Sequence, residues 1–138
     1  MASFENAVQS AIYSKLSLNA GIISKSIPIY DAVPQPVNIV NSDFPYITIG
    51  EDSHTAFDTD TENMNMVSVV IHTWSRFRGY DEIKEIQGYV YSSLQRGLLT
   101  HAGFKFINIM QAGSDAFTDS DGLTRHGVQT FNLIIEEI

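Results

Sequence analysis

The 138-residue chain contains no cysteine. That excludes disulfides, thiolate metal sites and cysteine nucleophiles at once, and it fits a cytosolic life. Basic residues are scarce too. Lys15, Lys25, Arg76, Arg78, Lys84, Arg96, Lys105 and Arg125 are all there are, against 16 acidic residues, giving a net charge of −8. They form no stripe. A protein that grips nucleic acid neutralises phosphates with Lys and Arg, so DNA binding is not expected as a primary role. Standing near DNA without sticking to it is compatible with an acidic surface. No apolar run approaches the roughly 20 residues that a membrane helix needs. The N-terminus lacks a basic region followed by an apolar one, so no secretion signal is expected. No P-loop, G-x-G-x-x-G or G-x-S-x-G pattern occurs, so nothing assigns nucleotide chemistry or serine hydrolysis.

What is present reads as a globular domain spanning 1–138, with 43% hydrophobic and 17% charged residues. Its centre is Asn63 to Trp74. Val67, Val69 and Ile71 point to one face of a strand there, Met66, Val70 and Trp74 to the other. Both sets are apolar, which predicts a central strand covered on both faces. Ser75 to Gly79 connects it to an amphipathic segment, Tyr80 to Leu98. Ile83, Ile86, Val90, Leu94 and Leu98 form its core-facing stripe. Asp81 and Glu82 suit the first turn of that helix, and Gly97 is its predicted stop.

At the N-terminus, Ser3 is a candidate cap, and Phe4, Val8, Ile12 and Leu16 predict a helix over about Phe4–Leu16. Asn19-Ala20-Gly21 is expected to break it. Ile27 to Asp31 reads as a short edge strand because of Pro28. Pro45 to Gly50 reads as a strand. Two readings compete for Glu51–Glu62: a solvated loop, or a strand that continues through Phe57 with its turn at Asp58–Glu62. The second, a long two-stranded arm with a polar tip, is preferred. Phe104–Met110 alternates as a strand, Ser114–Leu123 reads as a polar loop, and Arg125–Ile135 is the last strand, with Gln129, Phe131, Leu133 and Ile135 towards the core. The whole predicts an α+β fold: a mainly antiparallel or mixed four- to five-stranded sheet, two main helices packed on it, and the arm.

Chemical sites are weakly signalled. His54, His72, His101 and His126 include no pair at the i, i+4 spacing of a helical metal motif, so structural or surface roles are expected, with His72 partly buried and in need of a hydrogen-bond partner. Asp115, Asp119 and Asp121-Gly122 have a calcium-like look. If Asp119 and Asp121 held loop positions three and five, positions one and twelve would be Phe117 and Val128, which offer no side-chain oxygen. The segment reads as a turn using Asp, Ser and Gly for local backbone chemistry. No cofactor and no metal is expected. Phe57, Phe77, Tyr80 and Phe117 fall in or beside predicted loops, and aromatics there favour an interaction role.

The order of the pieces supplies a further clue. Phe4 to Ile12, Ile29-Tyr30-Asp31-Ala32-Val33-Pro34-Gln35, Phe44 to Gly50, the valine-rich strand ending in Thr73-Trp74-Ser75, the second helix and Arg125 to Phe131 together resemble the tail-completion, or tail terminator, family of long-tailed phages, prophages and gene transfer agents. The segment Ile22–Ile27 departs from that pattern, which has a glycine-led turn there. The resemblance implies a structural virion protein with no catalytic residues. Such subunits form a six-fold ring on the head-proximal end of the tail, stop tube growth and dock the tail to the head connector. It implies three partners: further copies of the chain in a homohexamer, the tail tube protein and the head-tail connector protein. DNA passes through the lumen without specific binding, and no membrane is involved. Interface candidates are Asp52, Phe57, Asp58, Asp60, Glu62, Phe77 and Phe117, with the acidic ones projecting into the lumen or onto the tube. Competing readings are another neck or head-completion protein, a small hydrolase or ligand-binding domain using His72 or His126 with nearby carboxylates, and an α+β domain whose sheet edge recruits a peptide.

Overall fold

A computed structural model describes residues 4–31, 44–56 and 63–138. Among these, α1 (Phe4–Ser17) is followed by α2 (Ala20–Ser24), β1 (Ile29–Tyr30), β2 (Tyr46–Ala56), β3 (Asn63–Ser75), α3 (Asp81–Leu94), β4 (Thr100–His101), β5 (Phe104–Thr118) and β6 (Arg125–Glu137). The strands form one sheet in the order β1-β2-β3-β6-β5-β4. Only β1–β2 is parallel; the other pairs are antiparallel. The α+β class stands, but the sheet has six strands and the described residues three helices, more than the pattern implied. The surplus consists of the two-residue strand β4 and the five-residue helix α2, too short for periodicity to register.

One face of the sheet carries the core. Ile47, Ile49, Val67, Val69, Ile71, Ile109, Phe131, Leu133 and Ile135 are buried there against Val8, Ile12 and Leu16 of α1 and Ile86, Val90 and Leu94 of α3. The helical stripes, apart from Leu98, and the assignment of Phe131, Leu133 and Ile135 to the core hold. Gln129 is buried with them, its Nε2 donating to Gln87 O at 3.0 Å and Gln111 Oε1 at 2.9 Å. A polar residue sits in the core because it ties α3 to β5 and β6.

Four expectations need correction. The central strand β3 is not covered on both faces: Val67, Val69, Ile71, Thr73 and Ser75 are buried, while Met66 is exposed and Val70, His72 and Trp74 only half-buried. No helix packs on the second face among the described residues. The β2–β3 hairpin is not a protruding arm, because β3 pairs with β6 along its whole length, from Asn63↔Glu137 to Ser75↔Arg125. β2 does continue to Ala56, as the preferred reading had it, while the tip lies outside the described residues. Ser114–Thr118 is strand, so the β5–β6 turn spans only 119–124. Finally, α3 stops at Leu94, where Gln95 turns extended; Leu98 is 79% exposed and Leu99 is the buried residue.

Asn19 does more than end α1. Its Oδ1 accepts from Gly21 N and Ile22 N, capping α2. Its Nδ2 donates to Tyr89 O at 3.1 Å and Ser93 Oγ at 2.7 Å, which holds α2 to α3. Ser75 makes the equivalent junction at the other end of α3, donating to Glu82 Oε1 at 2.7 Å and accepting from Phe77 N.

Candidate interaction surface

The helix-free face of the sheet holds an aromatic row. Tyr46, Trp74, His126 and Phe117 are direct cross-strand partners on four adjacent strands. Trp74 stacks on His126 with ring centroids 3.8 Å apart and on Tyr46 at 6.1 Å. Phe117 meets His126 at 5.0 Å, and Tyr46 is flanked by Tyr30 and Phe44. Cross-strand aromatic pairs are favourable units of sheet packing, so this row stiffens one end of the open face.

Next to the row lies a chain of polar side chains. Glu51 Oε2 is 2.9 Å from His72 Nε2, His72 Nδ1 is 2.7 Å from His126 Nε2, and His126 Nδ1 is 3.5 Å from Asp119 Oδ1. Two backbone features permit it. A bulge between Ile49 and Asp52 breaks the alternation of β2 and brings Glu51 to the open face. A Cβ at Gly50 would come within 2.7 Å of His72 Cδ2, so the glycine leaves room for the imidazole. The His72 bond lowers the Glu51 carboxyl below its usual value. Burial, and then the charge of His72, push the His126 imidazole down, opposed by Asp119 and Glu51. Asp31, Thr48, Gly50, Glu51, His72, Trp74 and His126 border an open cavity of about 420 Å³. Of the two histidines that the hydrolase reading would use, each is already engaged by the other.

Farther along the same face, a shallow concavity of about 520 Å³ is floored by Met66, Met110, Asn132 and Ile134, with Ser53 and Thr55 on its wall. Its two methionines are exposed: Met66 by 51% and Met110 by 39%.

The two edges of the sheet differ. Along β5 the outer edge is capped at three points: Arg96 N donates to Ile109 O, Gln95 Oε1 accepts from Gln111 N and Gln87 Nε2 donates to Asp115 O. Along β2, β1 covers only Ile47 and Thr48, and Glu51, Asp52, Ser53, Thr55 and Ala56 are exposed.

Of the residues singled out by sequence, Phe117 belongs to the aromatic row. Asp52 is on the β2 edge, 2.9 Å from His54 Nε2. It pairs with Val69, five positions along β3 from Trp74, roughly 16 Å away. Phe77 is 53% exposed in the connection between β3 and α3. These three do not form one cluster. Phe57, Asp58, Asp60 and Glu62 lie outside the described residues. The calcium-like segment is a turn: Asp121 accepts from Leu123 N, Thr124 N and Thr124 Oγ1, which hold its carboxyl at about 2. No group of metal-ligating side chains forms among the described residues. Sequence reasoning missed Tyr46 and Trp74 as partners of His126, and Glu51 and Asp119 as the ends of the polar chain. Matching parity on separate strands was the available signal, but strand order and register were needed to use it.

The profile of the family described as tail completion protein gp17 matches residues 10–136. The chain belongs to the tail completion protein family. A relative, tail completion protein gp17 of Bacillus phage SPP1, is 28% identical over 103 residues, covering 73% of this chain and 76% of that one. A chain of the virion of a native gene transfer agent particle has the same fold, with a TM-score of 0.85, 19% identity and 99% of both chains covered. The tail completion assignment makes this a structural, virion-associated tail protein. No described helix is long and apolar enough to cross a membrane.

Proposed function

We propose that the chain, acting as one unit over 1–138, caps the head-proximal end of the tail tube as a ring of identical subunits. In this role it ends tube growth and forms the surface that joins the head connector. The observation that carries the reading is membership of the tail completion family across nearly the whole chain. The fold supports it. A ring needs two unlike surfaces that meet head to tail. Here one sheet edge is partly capped by α3 and the stretch after it, and the other has no strand partner from Glu51 to Ala56 among the described residues. The open edge is suited to strand addition by a neighbour, and the face beside it, with Met66 and Met110 exposed, to contact with another tail component. Asp52 and the acidic stretch that follows it then face the lumen or the tube, where negative charge lets DNA slide. Phe77 and Phe117 are the aromatic anchors. Catalysis has no part in this role.

The test is negative-stain imaging of the purified protein over a concentration series, alone and with its tube protein. Rings, or caps on tube ends, are expected. Monomers that cap tubes would mean templated assembly and keep the reading. Protein that neither forms rings nor caps tubes, but binds connector, would replace it with a neck role.

A further inference from the structure

The polar chain on the open face has a property that the assembly reading does not use. Its three contacts join four side chains from β2, β3, β6 and the β5–β6 turn. Each contact needs one N–H between its heavy atoms. Two neutral imidazoles carry two N–H groups, so a neutral pair can fill only two of the three. The distances divide the same way: 2.9 Å at Glu51–His72 and 2.7 Å at His72–His126, but 3.5 Å at His126–Asp119. The first two are hydrogen-bond lengths and the third is too long for a good one. The tautomers that fit these lengths have His72 donating from Nε2 to Glu51 and His126 donating from Nε2 to His72 Nδ1, which leaves His126 Nδ1 a lone pair facing a carboxylate. One added proton at that nitrogen completes the chain. A second would set N–H against N–H across 2.7 Å at the centre, so the pair has room for one only.

We propose that His72 and His126 form a one-proton switch: uptake at His126 Nδ1 draws Asp119 in and closes the chain, and release lets Asp119 turn out to solvent. Asp119 is where the switch meets the backbone. Its N–H donates to Thr124 O and its carbonyl accepts from Gly122 N, so it anchors the β5–β6 turn beside the aromatic row. Closing the chain therefore fastens that turn to β6, and opening it adds a free carboxylate to the open face. The charged groups around the pair come from every neighbouring element. Glu51 is on β2, Asp31 borders the same cavity after β1, Asp115 stands opposite Val128 on β5, and Asp119 follows β5. Arg76, at the end of β3, is directed to Asp121 at 3.9 Å and to the Phe44 ring. Burial and the neighbouring imidazole place the switching point of His126 below the ordinary range.

The experiment is imidazole 15N NMR on the uniformly labelled protein from pH 8 to pH 4.5, with Asp119→Asn beside it. At pH 8 both rings are expected as Nε2–H tautomers. Through the transition His126 becomes imidazolium by gaining its proton at Nδ1. Asp119→Asn lowers the His126 midpoint by about one pH unit, because the carboxylate that favours the charged form is gone. Backbone amide spectra report that the variant is folded, and Gly50→Ala, which displaces His72, serves as a second probe if it is not. Two independently titrating histidines would overturn the proposal. So would a His126 ring with its proton on Nδ1 at pH 8, or a midpoint unmoved by either substitution. None of these results bears on whether the protein forms rings.

Discussion

The two faces of the β3–β6 pair are built from alternate residues of the same strands and behave as different materials. On one, Val69, Ile71, Phe131 and Leu133 are at most 2% exposed and meet two helices. On the other, Val70, His72, Trp74, Val128 and Thr130 are half-buried, with no described helix above them. The first face is held by burial of apolar area, which is non-directional and strong. The second is held by ring stacking and a short polar chain, which are directional and weaker. A two-residue period thus separates what keeps the protein folded from what it leaves uncovered by any described helix.

That contrast can be broken most sharply at adjacent positions on β3. Ile71→Ala is expected to cost about 2–5 kcal/mol in denaturant unfolding, since it opens a cavity where nothing is exposed. Val70→Ala should cost about 1 kcal/mol, for a half-buried side chain on the other face. Equal costs would mean that the second face is as dry as the first. Trp74→Ala comes next, at about 2 kcal/mol, because the indole sits between Tyr46 and His126. A third comparison uses pH. His126 titrates below 6.5 in the folded chain, so between its folded value and 6.5 the unfolded chain binds more protons. Stability is therefore full above about pH 6.5 and falls as the pH drops through that window, by no more than one proton's linkage. In His126→Gln this component of the slope should vanish in pH-dependent thermal unfolding. The smallest effect is at Asp121, whose carboxyl is held at about 2 by the Thr124 and Leu123 groups. Its contribution is present above about pH 4 and lost as the pH falls towards 2, so Asp121→Asn should flatten only that acid limb.

Much of the first face was readable from the chain itself. The stripes Ala7-Val8-Ala11-Ile12-Leu16 and Ile83-Ile86-Val90-Leu94, and the alternation Gln129-Phe131-Leu133-Ile135, are burial written at periods of 3.6 and 2. The second face was not, for three physical reasons. Its row joins Tyr46, Trp74, Phe117 and His126, and their alignment depends on register between strands up to about 50 residues apart in sequence. Bulges at Ile49/Asp52, Phe106/Asn108 and Gln111/Gly113 shift parity, so Glu51 and the outer half of β5 do not follow the alternation. Lastly, Ser114 to Thr118 has a turn-like composition, yet it is strand, because an outer strand keeps polar residues that need no burial. Leu98 failed at a smaller scale: it keeps helical spacing, but the chain has already left the helix at Gln95 and passes Arg96 at a φ of 52°.

Trp74 is the only tryptophan in the chain, and it lies face to face with His126 at 3.8 Å. The protein therefore contains its own optical reporter at the boundary between the stacked row and the polar chain. An imidazolium against an excited indole quenches it more strongly than a neutral ring does, so emission intensity at a fixed wavelength follows the charge on one histidine. Material that covers the open face would shift the same emission to the blue by excluding water. One unlabelled emission spectrum can thus follow both a proton and a partner, the first through its intensity and the second through its wavelength.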